Sequence, residues 1–284
     1  MLNTKYPIIC AAMREVNDFN LAYAVHKAGC FPSFFIRSLD DIKKYRTEID
    51  NNFNVFGGLD MDFTDENIDT ISEICPTMLE ISWGNPENKK ELLKNKRLIN
   101  LFDKLKENGS KIFFREISPV SEIDSFLDGI TIKGKESAGA ASMLPTKINF
   151  LKQKQLLPNT KIIVAGGIYL PDTIKWYIDN GAYAVYIGTP FAMSEESRVN
   201  INVKQKLMHL NKTDINISYY TNNLSFDAAK RNSILLGEIT NGDNLKNGVN
   251  GNGGFIYSGY ALDKIDKIVS VQNLVEYMTS SLSF

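Results

Sequence analysis

Eight short runs crowded with apolar and β-branched residues recur along the chain: YPIIC (6–10), FPSFFI (31–36), FNVFGGL (53–59), TMLEIS (77–82), KIFFREI (111–117), GITI (129–132), KIIVAG (161–166) and AVYIG (184–188). Between them lie stretches whose apolar residues are spaced three and four apart, the period of one helix face. These are residues 17–29, 38–49, 64–74, 96–109, 119–129, 146–157 and 170–181. Many open on Ser, Thr, Asp or Pro and close on Gly, as helix caps require. Strands that are apolar on both faces belong to a parallel sheet covered by helices, and eight is the number that closes a barrel. The pattern therefore predicts a (β/α)8 barrel, with a doubly wound open sheet as the alternative.

After Gly188 the alternation stops. Residues 195–250 look helical first and then become rich in Asn, Asp and Gly, so a helical and loop excursion after the eighth strand is expected. GNGGFIYSG (251–259) reads as a glycine-rich loop, and the stretch from Ala261 to Leu282 as one amphipathic helix. No internal repeat or linker-like stretch divides the chain, so a single domain over 1–284 is expected.

Composition changes this picture little. A formal net charge of -1 and a charged fraction of 23% give no basic field for nucleic acid and no acidic bias toward disorder. Cys10, Cys30 and Cys75 are scattered, with no CxxC pair or Cys/His cluster, so no metal site and a reducing, cytoplasmic setting are expected. The apolar patch near the N-terminus is interrupted by Pro7 and followed by Arg14 and Glu15, unlike a signal peptide. No apolar run approaches the ~20 residues that cross a bilayer.

In such a barrel the chemistry sits at the C-terminal strand ends, and phosphate groups bind at the loops after the last two strands. The sequence puts Gly166 and Gly167 at one of those ends and Gly188 and Thr189 at the other. Glycine lets backbone N–H groups approach phosphate oxygens, and the threonine hydroxyl adds a donor. A tight strand-to-helix turn explains either pair taken singly. Two such turns on the last two strands favour a phosphate site.

Residues 162–197, IIVAGGIYLPDTIKWYIDNGAYAVYIGTPFAMSEES, resemble the FMN-binding segment of the nitronate monooxygenase (2-nitropropane dioxygenase-like) family, which includes flavin-dependent enoyl reductases. YPIICAAM, the following LAYAVHKAGCFPSF, VFGGLDMDF, GITIKGKESAGA and the C-terminal GNGGFIYSGYALDKIDKIV are similar to further parts of that family, so the resemblance spans nearly the whole chain. It implies FMN as cofactor, with Gly166, Gly167, Gly188 and Thr189 on its phosphate and Tyr186 and Ile187 alongside. It places Ala11, Ala12 and Met13 beside the isoalloxazine ring, Lys133 where the family commonly has glutamine, and Ala138 and Gly139 in the loop that approaches the ring. An ammonium at position 133 would stabilise negative charge on a reduced flavin; the alternative is a lysine snorkelling at the barrel rim.

In the family pattern GxEAGGH, Gly134, Glu136 and Gly139 match, but Ala140 occupies the histidine position. That histidine is the family's usual proton acceptor or donor, and alanine can do neither. Leu59 likewise falls near the family's asparagine. His26 and His209 are read as structural, and Glu136, with Ser142, is the nearer candidate for proton exchange, or else an anchor for the loop. Inosine-monophosphate dehydrogenase-like barrels require a cysteine in this loop, which is absent from GKESAGAASM. The implied activity is an FMN-dependent oxidoreductase acting on a small nitronate or similar carbon acid, with NAD(P)H as an alternative electron donor. A flavin- or phosphate-binding barrel without turnover is the second hypothesis.

Overall fold

The computed structural model describes residues 2–59, 61–82, 94–220, 229–240 and 242–282. Each of the eight apolar runs forms a strand: β1 (Ile8–Cys10), β2 (Ser33–Phe35), β3 (Asn54–Gly58), β4 (Met78–Ser82), β5 (Lys111–Glu116), β6 (Gly129–Lys133), β8 (Lys161–Ala165) and β9 (Ala184–Ile187). A ninth short strand, β7 (Gly139–Ala141), lies outside this set. The eight pair in parallel in the order β1-β9-β8-β6-β5-β4-β3-β2. Phe31 joins the two ends. Its N–H donates to the Ile8 carbonyl at 2.8 Å and its carbonyl accepts from Cys10 N–H at 2.9 Å. The ring is a (β/α)8 barrel, as the spacing predicts.

Alternation along each strand sorts side chains to the two faces. Ile9, Phe31, Met78, Phe113, Ile163 and Ala184 meet inside the ring as one buried apolar plug. Ile8, Cys10, Phe34, Val55, Leu79 and Ile81 turn outward and pack against the surrounding helices. Helices form at Phe19–Lys27, Leu39–Glu48, Asp65–Ile74, Lys96–Glu107, Thr146–Leu156 and Pro171–Asp179. Asp18, Thr64 and Asn95 cap three of them, each side chain accepting from the first-turn backbone. Cys10 is therefore a core residue behind the barrel wall, and burial pushes its thiol far above the usual range.

Residues 119–129 depart from the expected helix. Pro119 lacks an N–H, and the backbone here is satisfied from outside rather than by i→i+4 bonds. Val120 N–H donates to Gln153 Oε1 at 2.8 Å, its carbonyl accepts from Gln153 Nε2 at 3.0 Å, and the Ile117 carbonyl accepts from Asn149 Nδ2. Asn149 and Gln153 lie on the buried face of helix 146–156, which explains why that helix has no clean apolar stripe.

The excursion after β9 is also more than helix and loop. Helix Ile201–Met208 is followed by β10 (Asn216–Tyr220), β11 (Ala229–Leu235), helix Asn244–Asn250 and β12 (Phe255–Tyr257). β11 pairs antiparallel with β10, β12 and β7, making a small second sheet across the loop after β6. Residues 221–228 of the excursion lie outside the described residues. The single C-terminal helix expected from Ala261 is instead a 3-10 turn, Tyr260–Lys264, and a separate helix, Val271–Met278, capped by Ser270. Among the described residues no helix is long and apolar enough to cross a membrane.

Candidate active site at the barrel mouth

The two glycine turns differ in why they need glycine. Gly166 and Gly167 have φ of 125° and 67°, a region that side chains disfavour. A Cβ on Gly166 would lie 2.6 Å from both Ser137 Oγ and Thr146 Oγ1, and one on Gly167 would lie 2.8 Å from Glu136 Cβ. The fold itself demands both, because the loop after β6 packs on them. Gly188 has an ordinary φ of -112°, and a Cβ there would meet Ala11 Cβ at 3.4 Å and Met13 Sδ at 3.6 Å. Packing does not require that glycine, so a close-approaching ligand is the better reason for it. Among the described residues, none accepts a hydrogen bond from the backbone N–H of Gly167, Gly188 or Thr189.

The loop after β6 is tied down from all sides. Glu136 Oε2 accepts from Thr146 N–H at 2.8 Å and from Thr146 Oγ1 at 2.6 Å, which fixes the loop to the start of helix 146–156. Ser137 Oγ donates to the Ala165 carbonyl, and buried Asn232 donates to the carbonyls of Lys135 and Ser137. The Glu136 carbonyl accepts from Tyr260 N–H, while Thr189 Oγ1 accepts from Gly259 N–H at 3.0 Å and keeps its own proton to donate. Ala140 and Gly139 lie in β7 and pair with Arg231 and Asn232 respectively. The residue in the histidine position thus sits in a sheet, under the excursion.

The expected cofactor residues divide. Ala11, Ala12, Met13, Gly166, Gly167, Gly188 and Thr189 gather at the strand ends of β1, β8 and β9. Ile187 turns its side chain outward into the core, and Tyr186 turns inward, so at these two positions the backbone alone reaches the turn. Leu59 is buried and His209 is exposed. His26 lies on helix 19–27 with its ring 6.3 Å from that of Tyr45, away from the mouth.

Tyr186 leads to a cluster that sequence reasoning missed. Its hydroxyl donates to Glu80 Oε2 at 2.7 Å and accepts from Ala12 N–H and Arg115 Nη2, both at 2.9 Å. Arg115 grips Glu80 with both arms, Nε to Oε1 at 3.1 Å and Nη2 to Oε2 at 2.5 Å, while its guanidinium lies 3.5 Å from the Phe56 ring centroid. Burial works to raise the Glu80 pKa, but the Arg115 charge and the hydrogen bonds outweigh it and hold the carboxyl below the usual range. Lys133 donates to the Ala138 carbonyl at 3.0 Å. Burial and the neighbouring Arg115 lower its pKa to about 7, against the opposing pull of Glu80. The signal was Glu80, the lone charge in the apolar run TMLEIS, and Arg115, directly after the apolar IFF of KIFFREI, with opposite signs on neighbouring strands.

No family model matches the sequence and no curated protein matches it. Among solved structures, the fold is similar to FabK from Thermotoga maritima, with a TM-score of 0.75 and 21% identity over 99% of this chain and 93% of that one. A point variant of the same FabK matches at a TM-score of 0.75 and 23% identity, covering 98% of this chain and 92% of that one. Nitroalkane oxidase from Streptomyces ansochromogenes matches with a TM-score of 0.71 and 15% identity, over 99% and 96% of the two chains. Identities this low establish the shared barrel.

Proposed function

We propose that this chain is an FMN-dependent oxidoreductase that takes electrons from a small carbon acid, such as an alkyl nitronate. The observation that carries this reading is the seat at the ends of β8 and β9, where Gly188 is free of any packing demand and three backbone N–H groups have no acceptor among the described residues. Such a set of donors suits a phosphate group. The sequence resemblance and the barrel shared with a nitroalkane oxidase support the same reading.

FMN bound there would supply a ring able to accept two electrons from substrate and pass them on. The N–H groups of Gly167, Gly188 and Thr189, with the Thr189 hydroxyl, hold the phosphate. Ala11, Ala12 and Met13 flank the ring. Lys133, oriented by the Ala138 carbonyl, places positive charge where negative charge develops. Glu136 anchors the loop after β6 through its two hydrogen bonds with Thr146. Ala140 offers no base, which favours a substrate already deprotonated at neutral pH. A nitronate meets that condition and a neutral nitroalkane does not.

The test is anaerobic mixing of the FMN-loaded protein with an alkyl nitronate, its parent nitroalkane and NADPH in separate runs. Bleaching of the visible flavin band by the nitronate, and far more slowly by the nitroalkane, is expected. Bound flavin that none of the three reduces would overturn the assigned turnover and leave a flavin-binding barrel.

A further inference from the structure

Donors outnumber acceptors in the cluster beneath the mouth. Glu80 takes up Nε and Nη2 of Arg115, and Nη1 has no partner among the described residues. An ammonium has three donors, and Lys133 spends one on the Ala138 carbonyl. Tyr186 is already committed to Glu80 and Ala12. Thr131, opposite Arg115 in the β5–β6 register, adds a fully buried hydroxyl beside Glu80. When Lys133 is protonated, two cations face one carboxylate, leaving one positive charge uncompensated.

Arg115 and Lys133 are inward positions on adjacent strands, with Lys133 two residues beyond the partner of Arg115. Strand spacing and rise put their Cα atoms about 8 Å apart, within the reach of both long side chains. A planar oxyanion accepts from both sides of such a gap, and a guanidinium fork suits it in particular.

We propose that Arg115 Nη1 and the Lys133 ammonium form a seat for a small planar monoanion, a carboxylate or nitronate, which enters as substrate. The word substrate rests on the oxidoreductase reading; the seat itself rests on this chain's side chains. The charged groups facing Lys133 are Arg115 on β5 and Glu80 on β4. An anion in the seat restores the charge balance, so its binding near pH 8 draws a proton onto Lys133.

The experiment is calorimetric titration of the flavin-free chain with sodium formate at pH 8, in two buffers of different ionisation enthalpy. Saturable binding with proton uptake is expected, weakened about tenfold or more in Lys133→Met by loss of a charge-assisted hydrogen bond. Replacing exposed Lys152 by Met should leave the isotherm unchanged. Circular dichroism verifies that both variants fold. No saturable binding, or equal binding in Lys133→Met, would overturn the seat. Repeating the titration on FMN-loaded protein separates the sources of anion. Formate binding that persists supports a substrate seat, and binding that vanishes gives the donors to the flavin edge and overturns it. Formate binding by wild type in a chain that retains no FMN would contradict the functional reading while supporting the seat.

Discussion

Glu80 stays ionised at full burial because Arg115 and Tyr186 satisfy it, and the same arrangement makes it costly to disturb. Glu80→Gln leaves the Arg115 charge without its partner and should cost about 3–5 kcal/mol in urea unfolding, whereas Glu80→Met with Arg115→Met should recover most of that loss. Lys133 sets a pH dependence of opposite origin. Its pKa falls from 10.5 in the unfolded chain to about 7 in the fold, so between these values the unfolded state binds more protons. Its contribution to stability therefore rises with pH through that window, and urea midpoints of Lys133→Met should lack that rise. Glu80 was legible in the sequence as a lone charge in an apolar strand, and Arg115 as a charge at an inward-alternating position after an apolar run. Their pairing was not, because it depends on strand register and on which face each residue takes.

Helix 146–156 does two jobs, covering the barrel and feeding hydrogen bonds to the helix-free connection from β5 to β6. Gln153→Leu removes both bonds to Val120 and should destabilise the protein by about 1–3 kcal/mol, read by urea unfolding. The 119–129 segment was misread as helical because its apolar residues keep helical spacing, while the side chains that replace its internal bonds lie in another element. β10 and β11 were missed for a related reason. β11 pairs with β7 and β12 over long range and its sequence AKRNSIL carries little strand propensity, while among the described residues β10 pairs only with β11. Asn232 is the pin of that sheet. Asn232→Ala should speed amide hydrogen exchange along β7 and β11 while the barrel strands keep their protection.

The whole molecule is a ring of eight strands with an apolar plug below, a charged layer above it and a glycine-lined rim on top. The ring was legible because parallel strands buried on both faces leave continuous apolar runs, and the rim because its glycines fall at the ends of the last two. The charged layer between them became visible only once the strands were placed side by side. The central claim is that the rim holds FMN through the seat at Gly188, and fluorescence titration of FMN with wild type and Gly188→Asp tests it most directly. Added carbon at this position has room, so the variant should fold with an unchanged circular dichroism spectrum. Tight quenching by wild type and none by the folded variant is the expected result. Equal FMN affinity in both proteins, or no binding by wild type, would contradict the account.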